Sequence, residues 1–309
     1  MASMSDSPRS EKLPVGGTFR RALLGPGLAL SAELALQRRS TAVDVRQQAE
    51  LFAPRVHAMQ VPDNPLAWVH MSPLAAASLL LGAGMDAVPL LSCRDRNRIA
   101  LLSDLLGLRA LGVESLMLGR GRRLPREHAL HASTVFDLSG QELIALAHEL
   151  SEEEDTPNFF IGTGAQVHRA GERWAAESLV ARSEAGAQFM QTQVCYDLAL
   201  LEHWLQRLVS AKLTWRYAVV VSLTPFPDLK TAEWMRREMG DSLIPETVLE
   251  RLADADDQEA EGVALCAETL QAMAAMPGIS GVHFPSTGRP DLIAAAIDAA
   301  GVGVASPPS

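Results

Sequence analysis

The 309-residue chain contains few cysteines and few aromatic residues. Its three cysteines, Cys93, Cys195 and Cys266, lie far apart and form neither a disulfide framework nor a CxxC metal motif. This usage favours a reducing, cytoplasmic location over an extracellular one. Aromatic residues make up only 5% of the chain, so we expect a mainly aliphatic core.

The sequence also lacks an excess of positive charge and any long hydrophobic run. Its 27 basic and 37 acidic residues give a net charge of −10, which argues against non-specific nucleic-acid binding and means that an anionic ligand would need a local basic patch. No apolar run approaches the roughly 18 residues of a transmembrane helix, so no membrane partner is predicted. Residues 1–16 have no apolar segment typical of a signal peptide, and we predict that they form a disordered tail.

What the sequence does contain is a regular alternation of short apolar segments with longer helical patterns. Eight short segments are predicted as buried strands, because each is apolar and bounded by polar residues, Gly or Pro. They are Leu28–Leu34, His57–Val61, Val88–Cys93, Glu114–Leu118, Phe159–Gly164, Gln188–Val194, Ala218–Leu223 and Gly281–Phe284. This pattern predicts an α/β fold, a single (β/α)8 TIM barrel over residues 17–309, with an open doubly wound sheet as the alternative. Helical patterns over residues 229–276 predict a helical insertion before the last strand.

Polar side chains at the strand ends are the candidate site residues, because barrel active sites lie at the carboxyl ends of the strands. Glu33 ends an apolar strand, and Asp63 follows the second one. Gln191 and Gln193 share one face of their strand, where amides suit recognition of a heterocycle edge. Two of these candidates have a structural alternative: Glu33 as a salt-bridge partner, and Gln193 as a cap on a neighbouring loop.

Two charged segments follow strands, and no standard catalytic or metal motif is present. The cluster at residues 94–98 fits either an ion-pair network or a phosphate site, and the arginine-rich segment Arg120–Arg126 is expected at the barrel mouth. The histidines form no HxxxH or HExxH pattern, so no metal site is predicted. No Walker loop and no GxSxG motif occurs.

Several of these segments together resemble the methylenetetrahydrofolate reductase family, in the branch with a Cys-Arg-Asp-Arg-Asn-Arg segment after the third strand. The matching pieces occur in order between residues 28 and 300. They include Ala32-Glu33-Leu34, Asp63-Asn64, Ser92–Ala100, Val135-Phe136-Asp137, Ala185–Phe189, Gln191-Thr192-Gln193, Tyr196-Asp197 and Gly278–His283.

The resemblance implies a flavin-bearing barrel that reduces 5,10-methylenetetrahydrofolate to 5-methyltetrahydrofolate. It implies FAD as cofactor, with FMN as an alternative, and NAD(P)H as a candidate electron donor. On this basis Glu33 is the acid that protonates the folate, and Gln193, with Gln191 and Asp63 nearby, binds it. Arg182 and His168 are implied to approach the flavin. A tetrahydrofolate derivative is the implied ligand, and a homo-oligomer or an electron-donor subunit is a further candidate partner.

The chain departs from the family pattern at three places, two of which face the flavin in the family. Arg122 stands where the family usually has an aspartate beside the flavin, and Pro62 stands where a threonine is common. Residues 34–37 replace the usual paired prolines. Two other functions therefore stay open: a folate-binding partner subunit without a redox role, and a flavin-free reductase that takes hydride directly from a reduced nicotinamide.

Overall fold

Eight parallel strands close into a barrel in which each strand pairs with its neighbour in the chain and β8 pairs with β1. The computed structural model describes residues 17–124, 130–152, 158–168, 176–239 and 242–304. The strands are β1 Ala29–Glu33, β2 Ala58–Val61, β3 Ala87–Ser92, β4 Ser115–Gly119, β5 Phe160–Gly164, β6 Phe189–Val194, β7 Ala218–Ser222 and β8 Gly281–Phe284. The closed barrel confirms the predicted fold class and excludes the open doubly wound sheet. The predicted disordered tail, residues 1–16, lies outside the described residues.

Helices alternate with the strands around the outside of the barrel. They are α1 Thr18–Leu24, α2 Ala42–Phe52, α3 Pro73–Gly82, α4 Arg98–Ala110, α5 Gly140–Ser151, α6 Ala176–Glu184, α7 Leu198–Ser210, α8 Leu229–Glu238, α9 Glu246–Asp254, α10 Gln258–Ala274 and α11 Pro290–Ala300. Helices α8, α9 and α10 lie between β7 and β8 and confirm the predicted insertion. Helix α5 shows how local sequence sets a helix start: Ser139 Oγ accepts from the Glu142 amide, while the Glu142 carboxylate accepts from the Ser139 amide.

The lumen below the mouth is filled by apolar side chains. Phe160 and Phe189 stack there with ring centroids 5.1 Å apart. Gly162 leaves room for them, because a Cβ at this position would lie 2.1 Å from the Phe189 ring. A second apolar layer, between the strands and the outer helices, forms the larger core.

Helix α1 closes the amino-terminal end of the barrel, and the sequence patterns did not predict it. Its Phe19 is fully buried and packs edge-on against Phe189, with ring centroids 5.7 Å apart. The Phe19 amide donates to the buried carboxylate of Asp86 at 2.9 Å. Burial raises the pKa of Asp86 to about 6, against the lowering effect of that hydrogen bond. With this end plugged, ligand-sized space is left at the carboxyl end.

Candidate functional site

Two of the cavities at the carboxyl end of the barrel are lined by predicted site residues, and they lie over different strands. The Glu33 cavity, of about 430 Å³, is bounded by residues at the ends of β1, β2 and β8 and by one side of α8. The Arg182 cavity, of about 710 Å³, is bounded by residues at the ends of β4, β5 and β6 and by α6. The structure therefore separates two groups of predicted site residues: Glu33 lines the first cavity, and Arg122, His168, Arg182, Gln191 and Gln193 line the second.

Glu33 is a partly buried carboxyl in mainly apolar surroundings. Within the described residues its carboxyl accepts one hydrogen bond, a long one of 3.4 Å from the amide of Ser286 just after β8. Loss of hydration disfavours the charged carboxylate and raises the pKa of Glu33 to about 7, and the Ser286 amide opposes this only in part. Glu33 can therefore hold a proton near neutral pH, which an ordinary exposed glutamate does not.

Two tryptophans form one wall of the Glu33 cavity. Trp68, on the loop after β2, and Trp234, on α8, stand nearly parallel, with an interplanar angle of 15° and ring centroids 6.3 Å apart. Trp68 is 64% exposed, so this wall separates the cavity from solvent on one side. A flat apolar wall beside a protonatable carboxyl suits a planar ligand that has a basic nitrogen.

The loop that carries Trp68 has a strained backbone. Asn64, Leu66 and Ala67 all have positive φ, at 46°, 51° and 63°, a region that costs about 1 kcal/mol or more for leucine and alanine. Hydrogen bonds hold the loop in this form: the Asn64 amide donates to His70 Nε2, and the His70 amide donates to Asn64 Oδ1. The loop's own hydrogen bonds therefore offset the backbone strain and hold Trp68 in position.

Arg182 places a guanidinium in the second cavity without a carboxylate partner in the described part of the chain. Its hydrogen bonds go to neutral acceptors: Thr163 Oγ1 at 3.1 Å, the Gly164 carbonyl, and the carbonyl and hydroxyl of Ser178. Burial lowers the pKa of Arg182, but a guanidinium stays charged at any ordinary pH. The positive charge is therefore held in place and available to an anionic group.

The two glutamines of β6 have different surroundings. Gln193 uses both ends of its amide on the backbone of Val167, accepting from the amide at 3.0 Å and donating to the carbonyl at 3.1 Å. It thereby fixes the loop after β5, which carries His168 to the cavity. Gln191 instead accepts at 2.5 Å from Gln60, which reaches across the lumen from β2. A contact between Gln193 and a pterin would require the Val167 hydrogen bonds to be exchanged.

Asp63 lies outside both cavities, in a buried charged network. Its carboxylate accepts from the amide and hydroxyl of Ser92 and from both terminal nitrogens of Arg96, all at 2.7 to 2.9 Å. Arg96 also pairs with Asp104 at 2.9 Å. Of the two interpretations of the 94–98 cluster, the geometry favours the ion-pair network. It ties the end of β2 to that of β3 and so supports the Trp68 loop.

The arginine-rich segment after β4 reaches the mouth as predicted, but its members differ in position. Arg122 lines the Arg182 cavity, next to Gly121, whose φ of 80° and close approach to Arg94 require a glycine. Arg120 and Arg123 lie over the ring of Phe136, at 4.4 and 5.8 Å from its centroid. Arg126 lies outside the described residues. Pro62 lines the Glu33 cavity instead.

The family comparison matches the methylenetetrahydrofolate reductase model over residues 55–301. The chain belongs to the methylenetetrahydrofolate reductase family. The match begins after Glu33, so the assignment of Glu33 as the family's acidic residue depends on the barrel geometry and on the motif around it. The comparison with curated proteins found no match.

Several solved structures resemble the chain in fold at low sequence identity. One is a Clostridium thermocellum protein described as binding two copies of 5-methyl-5,6,7,8-tetrahydrofolic acid, with a TM-score of 0.64, 13% identity, and coverage of 91% of this chain and 96% of that one. A 2,3-dimethylmalate lyase has a TM-score of 0.52 and 12% identity, covering 92% of this chain and 84% of its own. At these identities the likeness shows the barrel fold alone.

Two features of the described residues concern membrane-spanning helices and metal-binding groups. No helix there is long and apolar enough to cross a membrane. No three side chains of His, Cys, Asp or Glu come together there as a group that could hold a metal ion.

Three elements of the mouth were missed by sequence reasoning: Gln60, Trp68 and Trp234. Gln60 is a lone polar residue in a four-residue strand, and its partner lies 131 positions away. Polarity within an otherwise buried strand was a signal that could have identified it. The pairing of the two tryptophans has no sequence signature, because it depends on how α8 packs over the loop.

Proposed function

We propose that this chain interconverts 5,10-methylenetetrahydrofolate and 5-methyltetrahydrofolate, with Glu33 as the general acid. The observation that carries the proposal is a carboxyl with a pKa of about 7 at the end of β1, inside a cavity with a flat indole wall. Family membership supports a folate as the ligand. The folate is assigned to the Glu33 cavity, where its heterocycle can reach the acid.

Glu33 supplies the proton that the reaction needs before hydride transfer. Its proton goes to the folate nitrogen whose bond to the bridging carbon breaks, and the lone pair of the other nitrogen forms the C=N⁺ double bond. Hydride then adds to that carbon and gives the methyl group. Because the Glu33 carboxylate left behind has lost hydration and keeps one long hydrogen bond, it regains a proton readily near neutral pH. In the reverse direction the same carboxylate accepts the proton.

The Arg182 cavity is assigned to the redox cofactor, and its residues fit a flat anionic group. Arg182 keeps a charge that no carboxylate of the described chain neutralises, and Arg122, His168 and Gln191 line the same space. These residues would hold FAD, or FMN as the alternative. A bound flavin supplies the hydride, and NAD(P)H is the proposed source of its electrons.

The second candidate function is folate binding without redox chemistry. The observation that favours it is the presence of two separate cavities at one mouth, since the similar Clostridium thermocellum protein is described as binding two copies of a methylated folate. In that case the second folate takes the Arg182 cavity, where its carboxylates meet the arginines.

The experiment is to purify the chain, record its visible spectrum, and titrate it with FAD and with 5-methyltetrahydrofolate. Bound flavin, together with oxidation of 5-methyltetrahydrofolate by an artificial quinone acceptor, supports the reductase. Two folates bound per chain without flavin support the binding protein. Flavin-free oxidation of NAD(P)H by methylenetetrahydrofolate identifies direct hydride transfer. Binding of neither ligand refutes the proposal.

A further inference from the structure

Gln60 is a buried polar residue inside the barrel and belongs to neither group of predicted site residues. It lies on β2 directly beside Glu33, its register partner on β1. Its side chain points into the lumen, because Ala58, two residues earlier on the same face of β2, packs in the lumen with Phe160 and Phe189. Gln60 is only 4% exposed.

The Gln60 side chain crosses the barrel. β2 and β6 lie four strands apart in the closed ring of eight, on opposite sides, and Gln60 Nε2 donates to Gln191 Oε1 at 2.5 Å. In the described part of the chain this is the one hydrogen bond that either side chain makes. Gln60 and Gln191 therefore form a polar bridge above the apolar lumen, between the Glu33 cavity and the Arg182 cavity.

The bridge determines which hydrogen-bonding groups of Gln191 face a ligand. Gln191 lines the Arg182 cavity; Gln60 occupies one of the two lone pairs of its carbonyl oxygen and holds that oxygen toward β2, which leaves both N–H donors for a ligand. The amide of Gln193 is already used at both ends by Val167. Together with the Arg182 guanidinium, this side of the cavity presents donors.

We propose that Gln60 is a specificity-determining positioning residue: by holding the carbonyl of Gln191, it makes the Arg182 cavity select a ligand edge made of hydrogen-bond acceptors. Such an edge consists of a carbonyl oxygen or an unprotonated ring nitrogen of a flat heterocycle. The identification of that heterocycle as a flavin or a folate rests on the proposed function, whereas the orientation of the Gln191 amide does not.

The first test needs no ligand and measures the side-chain amide signals of Gln191 by NMR in the wild type and in Gln60→Leu. Loss of a donor to Oε1 is expected to shift the side-chain carbonyl carbon of Gln191 more than its amide nitrogen. A larger shift of the amide nitrogen would show that Gln191 is the donor in the bridge, and the proposal would be wrong.

The second test is a double-mutant cycle on ligand affinity, with FAD and 5-methyltetrahydrofolate as probes. Gln60→Leu is expected to weaken the ligand of the Arg182 cavity about three- to tenfold, the range for one hydrogen bond. Gln191→Leu should have a similar effect. Because Gln60 acts through Gln191, the double variant should be no weaker than Gln191→Leu alone, whereas independent losses that multiply would indicate a general structural role and overturn the proposal.

Ser31→Ala is the matched control. Like Gln60, Ser31 is a buried polar residue in the lumen, but it lies on β1 and its hydroxyl pairs with His283 at 3.1 Å. It lines neither cavity, so its removal should leave both affinities unchanged. If Ser31→Ala weakens binding as much as Gln60→Leu does, the effect comes from the lumen in general and the proposal fails. If the wild type binds neither probe, the proposed function fails, and the NMR result alone decides the present inference.

Discussion

The Glu33 cavity and the Arg182 cavity at the mouth of the barrel differ in how they affect the charged form of the ionisable side chain that each contains. The Glu33 cavity is walled by indoles and prolines and gives its carboxyl one long hydrogen bond, so the charged form is destabilised. In the Arg182 cavity the guanidinium makes four hydrogen bonds to neutral acceptors, so it stays positively charged and its orientation is fixed. One barrel end can therefore hold both a proton donor and an anion-binding group, because β1, which carries Glu33, and β5, to whose end Arg182 is hydrogen-bonded, lie on opposite sides of the ring.

The largest expected effect is the loss of the proton donor. Glu33→Gln keeps the size of the side chain but removes the acid, and we expect methyltetrahydrofolate oxidation or methylenetetrahydrofolate reduction to fall about 100-fold or more. Reduction of a bound flavin by its donor should change little, since that step needs no folate proton. The exposed carboxylate Glu50 supplies the control Glu50→Gln, which should retain full turnover. Normal turnover in Glu33→Gln would rule out this role.

The next effect concerns the opposite cavity. Arg182→Leu removes a fixed charge and is expected to weaken FAD or FMN binding about 10- to 100-fold, the range for hydrogen bonds to a charged group. Arg182→Lys should restore part of the affinity, because it keeps the charge but not the fork of donors. Flavin titration followed by absorbance measures both. Unchanged flavin affinity in Arg182→Leu would break the assignment of this cavity to the cofactor.

The third prediction tests the raised pKa of Glu33 through the pH dependence of the free energy of unfolding, without a ligand. Glu33 ionises near its ordinary value of 4.5 in the unfolded chain and near about 7 in the folded one. The wild type should therefore lose stability relative to Glu33→Gln as the pH rises from about 4.5 through about 7, and the difference should be constant below that window. With partial exposure taken into account, we expect about 1 to 3 kcal/mol between pH 4.5 and pH 8 from urea unfolding. A pH-independent difference would show that the Glu33 pKa is ordinary.

A further effect, on redox potential instead of affinity or stability, is expected from the guanidinium that replaces the family's carboxylate. If Arg122 lies about 5 Å from a reduced, anionic flavin, Coulomb's law gives about 3 kcal/mol of stabilisation. This corresponds to several tens of millivolts for a two-electron couple. Arg122→Asp should therefore lower the midpoint potential, while Arg123→Asp, outside the cavity lining, should not. Flavin binding that is gained only in Arg122→Asp would instead show that Arg122 excludes the cofactor.

The smallest effect concerns Gln193. Gln193→Ala removes two hydrogen bonds to Val167, and hydrogen exchange of the Val167 amide should become about tenfold faster as the loop opens. Because Gln193 lines the Arg182 cavity and not the Glu33 cavity, the folate dissociation constant should rise in parallel only if the pterin reaches Gln193, as the resemblance implies. Gln188→Ala, at the start of β6, should leave that exchange rate unchanged. An equal exchange rate in Gln193→Ala would show that the loop is held by other contacts.

The sequence predicted the frame of the molecule better than the contacts across it. All eight strands end within one residue of their predicted bounds, because short apolar runs between polar residues identify buried parallel strands. Helix α1 was missed because it has seven residues and no side-chain cap. Its contacts with Phe189 and Asp86 depend on barrel closure.

The candidate site shows the same division. Glu33 could be singled out as a lone charge ending an apolar strand, and the arginines after β4 could be placed at the mouth from their order in the chain. The Gln60–Gln191 bridge and the division into two cavities could not be predicted, because they join strands far apart in sequence. The cluster at residues 94–98 had two interpretations, and the four hydrogen bonds that Asp63 accepts from Ser92 and Arg96 favour the ion-pair network.

The most direct test of the central claim is a pH titration of the glutamate carboxyl carbons by NMR, with and without 5-methyltetrahydrofolate. The account predicts one glutamate that titrates near pH 7, that is absent from the spectrum of Glu33→Gln, and that shifts when the folate is added. The same folate-induced shift should persist in Arg182→Leu, because the acid and the guanidinium line different cavities. A Glu33 signal that titrates below about pH 5, or that does not respond to folate, would contradict the account.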